Sequence, residues 1–248
     1  MDLAAAPAAT ATATVQWSGG EAWLVSLRLG ADDVALLDLV RGATRTGIDC
    51  PLGWPAAFVD FLDRQRRGAV RLDEVDSVPA RRAIVYRRTD LVCLAGGDRP
   101  LSVAADRIAH PALRAAGLLA VLAGQGVDVN RAGHGAVVET YPAAALRRWG
   151  LPSRTYKRAA NGPARRLLVD GLLTAVPWLE VGRADRELLE RSDDALDAVI
   201  CALVARASLL GAVREPAPAD ADLAAVEGWI AVPTGRLGDL ASPRPAAS

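Results

Sequence analysis

Lysine is almost missing from this sequence: of 29 basic residues, 28 are Arg and one is Lys157. With Ala at 50 of 248 positions, the bias reads as the codon usage of a GC-rich genome. Histidine occurs only twice, at His110 and His134, which argues against a histidine-rich metal site. The three cysteines, Cys50, Cys93 and Cys201, are odd in number and lack C-x-x-C spacing. That speaks against a disulfide framework or zinc knuckle and fits a reducing cytosol. No run of 18 apolar residues occurs, so no transmembrane helix is expected. No Lys or Arg precedes Arg28, so the basic start of a secretory signal is missing, and a cytoplasmic location is expected. Net charge is also lacking, with 29 acids against 29 bases. This argues against a protein that coats nucleic acid through bulk charge, though a local basic groove remains open.

What is present is apolar substance. Hydrophobic residues make up 51% of the chain, enough to bury a sizeable core. Residues 8–17 alternate Ala and β-branched Thr and read as a strand. Ser18-Gly19-Gly20 is a turn, and Glu21–Leu29 completes a hairpin. Asp32 or Asp33 caps a helix to about Gly42. Thr46–Cys50 is a short buried strand, followed by a Pro/Gly turn and a helix to about Arg67. Residues 68–109 are poorly periodic and suit loops and short helices over a site. Helices are expected at Pro111–Gln125, Tyr141–Trp149, Pro163–Val176 and Ser192–Leu210, strands at Ala136–Thr140 and Glu227–Val232. The pattern is one mixed α/β domain over residues 1–240, with an insertion around 55–110 and a disordered tail at 241–248.

Acids stand where apolar structure would not want them. Asp49 ends the strand Gly47-Ile48-Asp49, and Glu139 ends Ala136-Val137-Val138-Glu139. Asp194 and Asp197 share one face of a helix that is otherwise almost without polarity. Asp2 precedes Leu3-Ala4-Ala5. Bland roles exist: Asp194 suits the first turn of its helix, Glu139 a cap, Asp49 a turn. Together, acids at strand ends and a D-x-x-D helix suggest convergence on one cleft. Crowded carboxylates call for a cation, and Mg²⁺ or Mn²⁺ suits oxygen ligands. A pair of such ions cleaves phosphodiesters without a His, Ser or Cys nucleophile.

The segments Gly47-Ile48-Asp49-Cys50-Pro51-Leu52-Gly53-Trp54-Pro55, Arg88-Thr89-Asp90, Glu139-Thr140-Tyr141-Pro142, Tyr156-Lys157 and Asp193-Asp194-Ala195-Leu196-Asp197 carry a resemblance. They are similar, in order and over residues 2–232, to a family of predicted ribonuclease H-like nucleases, a domain of unknown function. The resemblance implies an α/β ribonuclease H-like fold: a five-stranded mixed sheet, its first three strands antiparallel, flanked by helices. It also implies catalytic and metal-holding roles for Asp2, Asp49, Glu139, Asp194 and Asp197. In Holliday-junction resolvases that share this core, acids occupy the first strand, the fourth strand and the last helix. Asp2 should then end a first strand that is largely missing here. The reading frame is therefore expected to continue upstream of Met1.

Arg88, Asp90, Tyr156, Lys157 and Trp54 are candidates for contact with substrate. Seven bases and no acid lie between Arg147 and Arg166, and Arg81, Arg82, Arg87 and Arg88 form a second cluster. Phosphate contact and a solvated face are equally good readings of both. Trp54 suits base stacking or plugging the core under its loop. The expected function is metal-dependent cleavage of DNA or RNA, with no membrane partner. The alternatives are a nucleic-acid-binding or scaffold domain with a decayed site and, less favoured, ATP-dependent phosphotransfer. Leu3-Ala4-Ala5-Ala6 lacks the Gly and Thr of a phosphate-binding turn.

Overall fold

The computed structural model of the chain describes residues 1–242. The hairpin forms as its alternation predicts. Strands β1 (Ala11–Ser18) and β2 (Glu21–Leu29) pair antiparallel from Ala11↔Leu29 to Ser18↔Glu21, with a bulge between Thr14 and Val15. Gly19 and Gly20 turn the chain at positive φ, the region glycine enters without strain. Helix α1 (Asp33–Gly42) starts where the Asp32 carboxylate accepts the Ala35 N–H at 2.9 Å, and leads into β3 (Thr46–Ile48).

Helices α2 (Ala56–Arg66) and α3 (Val78–Val85) follow. No residue from 56 to 86 is fully buried, so this arm lies on the body. The next helix, α4 (Arg88–Ala95), is integral, with Thr89, Asp90 and Cys93 buried. Then come α5 (Ala109–Gly124), β4 (Val137–Glu139), α6 (Pro142–Arg148) and α7 (Gly162–Ala175). A short β5 (Leu179–Glu180) and α8 (Arg183–Arg191), neither expected from the sequence, precede the long α9 (Asp193–Leu209).

The strand expected at Glu227–Val232 is corrected. Glu227 closes α10 (Ala221–Glu227), and only Ile230 reaches the sheet, as a single bridge to Glu139. Of the tail expected to be disordered, Ala241 ends a 3-10 helix begun at Leu237; residues 243–248 lie outside the described residues.

The strands form two sheets rather than one of five strands. The first has the order β1-β2-β5, with β5 parallel to β2; the second is the parallel pair β3-β4. Asp2 joins them. Its N–H donates to the Ala11 carbonyl at 2.9 Å, and the Ala11 N–H donates back to the Asp2 carbonyl at 3.0 Å. On the other side the Asp49 N–H donates to the Met1 carbonyl at 3.0 Å. Asp2 is thus bridged antiparallel to β1 and parallel to Asp49 just beyond β3.

Side chains alternate across the strands, and each face has its own core. Ala11, Ala13 and Val138 join α6, α7 and α9 in the larger cluster. Met1, Leu3, Ile48 and Val137 join α1 and α5 in the second. The register of α9 against β3 depends on Gly47. A Cβ there would lie 2.3 Å from the Cys201 carbonyl oxygen and 2.8 Å from Thr140 Cγ2. Only glycine admits that approach, and it sets Asp197, one turn before Cys201, over the end of β3.

Candidate active site

Two buried polar assemblies divide the acids between them. The first is built on the sheet junction. Asp2 and Asp49 are brought side by side by their backbone bridge. Asp197, 1% exposed, faces them from α9, with Asp194 one turn earlier at the helix start. The loop after α6 adds two more side chains. Tyr156 Oη donates to Asp197 Oδ1 at 2.8 Å, and Lys157 Nζ lies 2.6 Å from Asp197 Oδ2. That second contact is a close ion pair, and no other group donates to the buried Asp197 Oδ2.

Electrostatics at this junction are strained. Burial, then the neighbouring Asp49 and Asp197 charges, pushes the Asp2 carboxyl from 3.8 to about 9. Burial pushes Asp49 from 3.8 to about 7, with Lys157 opposing and Asp197 adding to the rise. Asp194 is raised by burial and by Asp193, and it shares a side-chain hydrogen bond with Asp2. Burial works against the Lys157 charge, but Asp197, Asp49 and Asp2 outweigh it and hold the ammonium above its usual range. Tyr156 is kept protonated by burial and by Asp197, consistent with its role as donor. Such a crowd of acids costs stability, and groups perturbed in this way gather at functional sites.

The second assembly centres on Arg87, 1% exposed. Its five N–H donors are all engaged. Nε and Nη2 donate to Asp90 at 3.1 and 2.9 Å, and Nη1 and Nη2 to Glu139 at 2.8 and 2.7 Å. Nη1 also donates to the Glu227 carbonyl at 3.1 Å. Glu139 Oε2 accepts the Leu52 N–H at 3.0 Å as well. The Glu227 carboxylate accepts the N–H groups of Ala56 and Arg88 at 2.8 and 2.7 Å. This fork-and-carboxylate network ties α4, β4, the loop after β3 and α10 together.

The structure therefore brings together Asp2, Asp49, Asp194, Asp197, Tyr156 and Lys157. Glu139 and Asp90 stand apart, their oxygens held by Arg87. Arg88 is 45% exposed, with Nε on Asp220 at 2.8 Å. Trp54 is half-buried against the second core. Arg147 and Arg148 pair with Asp98, and Arg165 is buried against backbone carbonyls. Much of the basic block is thus structural. All three cysteines are buried and free. The sequence reading missed Arg87 as a hub and Glu227 as its neighbour. The available signal was an Arg one residue before a quoted motif, but its partners lie 52 and 140 residues away.

A family model described as "Protein of unknown function (DUF429)" matches residues 1–222. The chain belongs to this family. The acid cluster and its Tyr156-Lys157 loop lie inside the DUF429 span, as do Arg87, Asp90 and Glu139; Glu227 and Ile230 lie beyond it. No curated protein and no solved structure matches the chain.

The acid cluster fits a hard divalent cation in donor chemistry: carboxylate oxygens only, one of them the buried Asp197 Oδ2. As they stand, no three acid, imidazole or thiol groups among the described residues close on one ion. Positive charge reaches the cluster from the Lys157 ammonium and, at Asp49, from the Met1 N-terminal ammonium.

Proposed function

We propose that this DUF429 chain is a metal-dependent nuclease with a ribonuclease H-like core. The observation that carries the reading is the meeting of Asp2, Asp49 and Asp197 at one sheet junction, at the cost of strongly raised acid pKa values. The strand order supports the fold. With Asp2 counted as a one-residue central strand, the order runs β2, β1, Asp2, β3, β4, with the two-residue β5 added parallel at the outer edge of β2. The first three positions are antiparallel and the next two parallel, as in the ribonuclease H arrangement. Acids then fall on the first strand, just past the fourth, and on the long helix α9.

Asp2, Asp49, Asp194 and Asp197 would hold Mg²⁺ or Mn²⁺, which when bound activates water and stabilises the leaving oxygen. Tyr156 orients Asp197 by donating to Oδ1. Burial of Asp197 on the inner face of α9 keeps bulk water from its inner oxygen. The exposed Arg154, Arg158 and Arg166, together with Arg88, offer charge to a nucleic-acid backbone. Glu139 and Asp90 act at a distance: both hold Arg87, and Glu139 also accepts the Leu52 N–H of the loop that follows Asp49.

The test is a panel of single-stranded, duplex, hybrid and branched DNA and RNA, with Mg²⁺ or Mn²⁺ and a chelator control. At least one substrate should be cut only when metal is present. Asp49→Asn should reduce that rate at least about a hundredfold, since even changes behind a metal ligand cost tenfold to a hundredfold. Absence of cleavage across the panel, or equal cleavage by the Asn variant, would overturn the reading.

A further inference from the structure

Among 29 basic residues the chain has one lysine, and that lysine stands at the acid cluster. Its ammonium lies 2.6 Å from Asp197 Oδ2, and Asp49 and Asp2 also act on its charge. Yet the side chain is 52% exposed, so it reaches in from the mouth of the site. The contrast with Arg87 is direct. There the buried charge is an arginine fork locked by five hydrogen bonds. Here the charge is a compact ammonium on a flexible four-carbon stem, half-exposed and paired with one carboxylate, Asp197.

The backbone beneath Lys157 is fixed, while its side chain is held only by its charge, on Asp197 Oδ2 and over the Tyr156 ring, 5.9 Å from the centroid. Thr155 and Arg158 hold positive φ of 63° and 76°, a conformation that costs non-glycine residues energy and persists only when the surroundings impose it. Arg165 imposes it. Its Nη1 donates to the carbonyls of Tyr156 and Arg158 at 2.9 and 3.2 Å. Its Nε and Nη2 donate to Glu190 and Arg191 at 3.0 and 2.8 Å, just ahead of α9. The Arg158 N–H also donates to Asp193 Oδ2 at 3.0 Å. The loop is thus clamped to the helix that bears Asp194 and Asp197, with the Lys157 stem pointing at their cluster.

We infer that Lys157 is a tethered, displaceable counter-ion: its ammonium balances the Asp2/Asp49/Asp197 cluster in the free protein and leaves when a divalent cation binds there. This rests on the metal-dependent reading above and adds to it an exchange between a resident side chain and the ion. The ammonium stands 2.6 Å from Asp197 Oδ2, about where an ion coordinated to that oxygen would sit, and two cations so close repel, so an ion bound there drives the ammonium out. An arginine, with its planar fork, would lock as Arg87 does; a lysine can swing out to solvent through its exposed stem.

The single lysine makes the test direct. Protein carrying ¹³Cε-labelled lysine gives one side-chain NMR signal, followed while Mg²⁺ is added and while calorimetry measures Mg²⁺ and Mn²⁺ binding on wild type and Lys157→Met. The expected result is a signal that moves and sharpens with the same midpoint as the heat, and a variant that binds Mn²⁺ at least about tenfold more tightly. Metal binding with an unmoved lysine signal and equal affinity in the variant would overturn the exchange and leave the metal site standing. No heat and no movement would remove the metal site, and the exchange with it. The wild-type NMR arm holds even where the Met variant fails to fold.

Discussion

Arg87 and Lys157 show how differently a buried and a half-exposed cation act in this chain. Arg87 is wholly enclosed and saturated by Asp90, Glu139 and the Glu227 carbonyl. Removing it would strand two buried carboxylates, and breaking such a pair on one side costs about 3–5 kcal/mol. Arg87→Ala should therefore unfold at markedly lower denaturant concentration than wild type, measured by urea titration. A variant within 1 kcal/mol of wild type (about the range of an exposed pair) would contradict the network's role. The acids around Lys157 were legible in the sequence, because a charge on an almost wholly apolar helix, such as Asp197, announces itself. The fate of Glu139 was not. Strand ends look alike in one dimension, and only the fold shows that this acid faces Arg87 while Asp49 faces Asp2.

At the scale of elements, the contact between α9 and β3 sets the geometry. Gly47→Ala would drive a methyl group into the Cys201 carbonyl. Overpacking of this kind costs about 1–3 kcal/mol and shifts the backbone. A lower Tm is expected, together with loss of the close Tyr156–Asp197 contact, seen as a downward shift in the Tyr156 hydroxyl titration. Unchanged Tm and unchanged tyrosine titration would show that α9 does not need the glycine. The hairpin, α1 with its Asp32 cap, and α5 to α7 were readable from alternation, caps and proline positions. Two elements were not. β5 has only two residues and exists by pairing with β2. α8 is mostly charged, with Leu189 its single buried residue, so its apolar stripe is too thin to stand out. Glu227–Val232 misled in the opposite sense: its apolar run is buried as single-residue contacts, with Glu227 drawn into the helix end beside Arg87.

For the whole molecule, zero net charge conceals a local excess of acid. The Asp2 and Asp49 carboxyls, raised from 3.8 to about 9 and about 7, keep protons that the unfolded chain releases. Their contribution is full below about pH 4 and is lost as pH rises through 7 to 9. Lys157 stays charged across that range and does not reverse the sign. Metal-free protein should thus lose stability from pH 5 to pH 9, by at most about 1.4 kcal/mol per pH unit for each proton retained, and less where solvent reaches the group. Chemical denaturation along a pH series checks this, and Asp49→Asn should flatten the fall near neutrality. Stability that rises over the same range would contradict it.

The central claim is that Asp2, Asp49, Asp194 and Asp197 form one cation-holding centre at the sheet junction. Its most direct test is anomalous diffraction from crystals of the protein equilibrated with Mn²⁺. The account predicts an anomalous peak in contact with Asp49 and Asp197, with the Lys157 ammonium moved away from Asp197. Crystals saturated with Mn²⁺ that show no peak among these four carboxylates, with Lys157 still on Asp197, would contradict it.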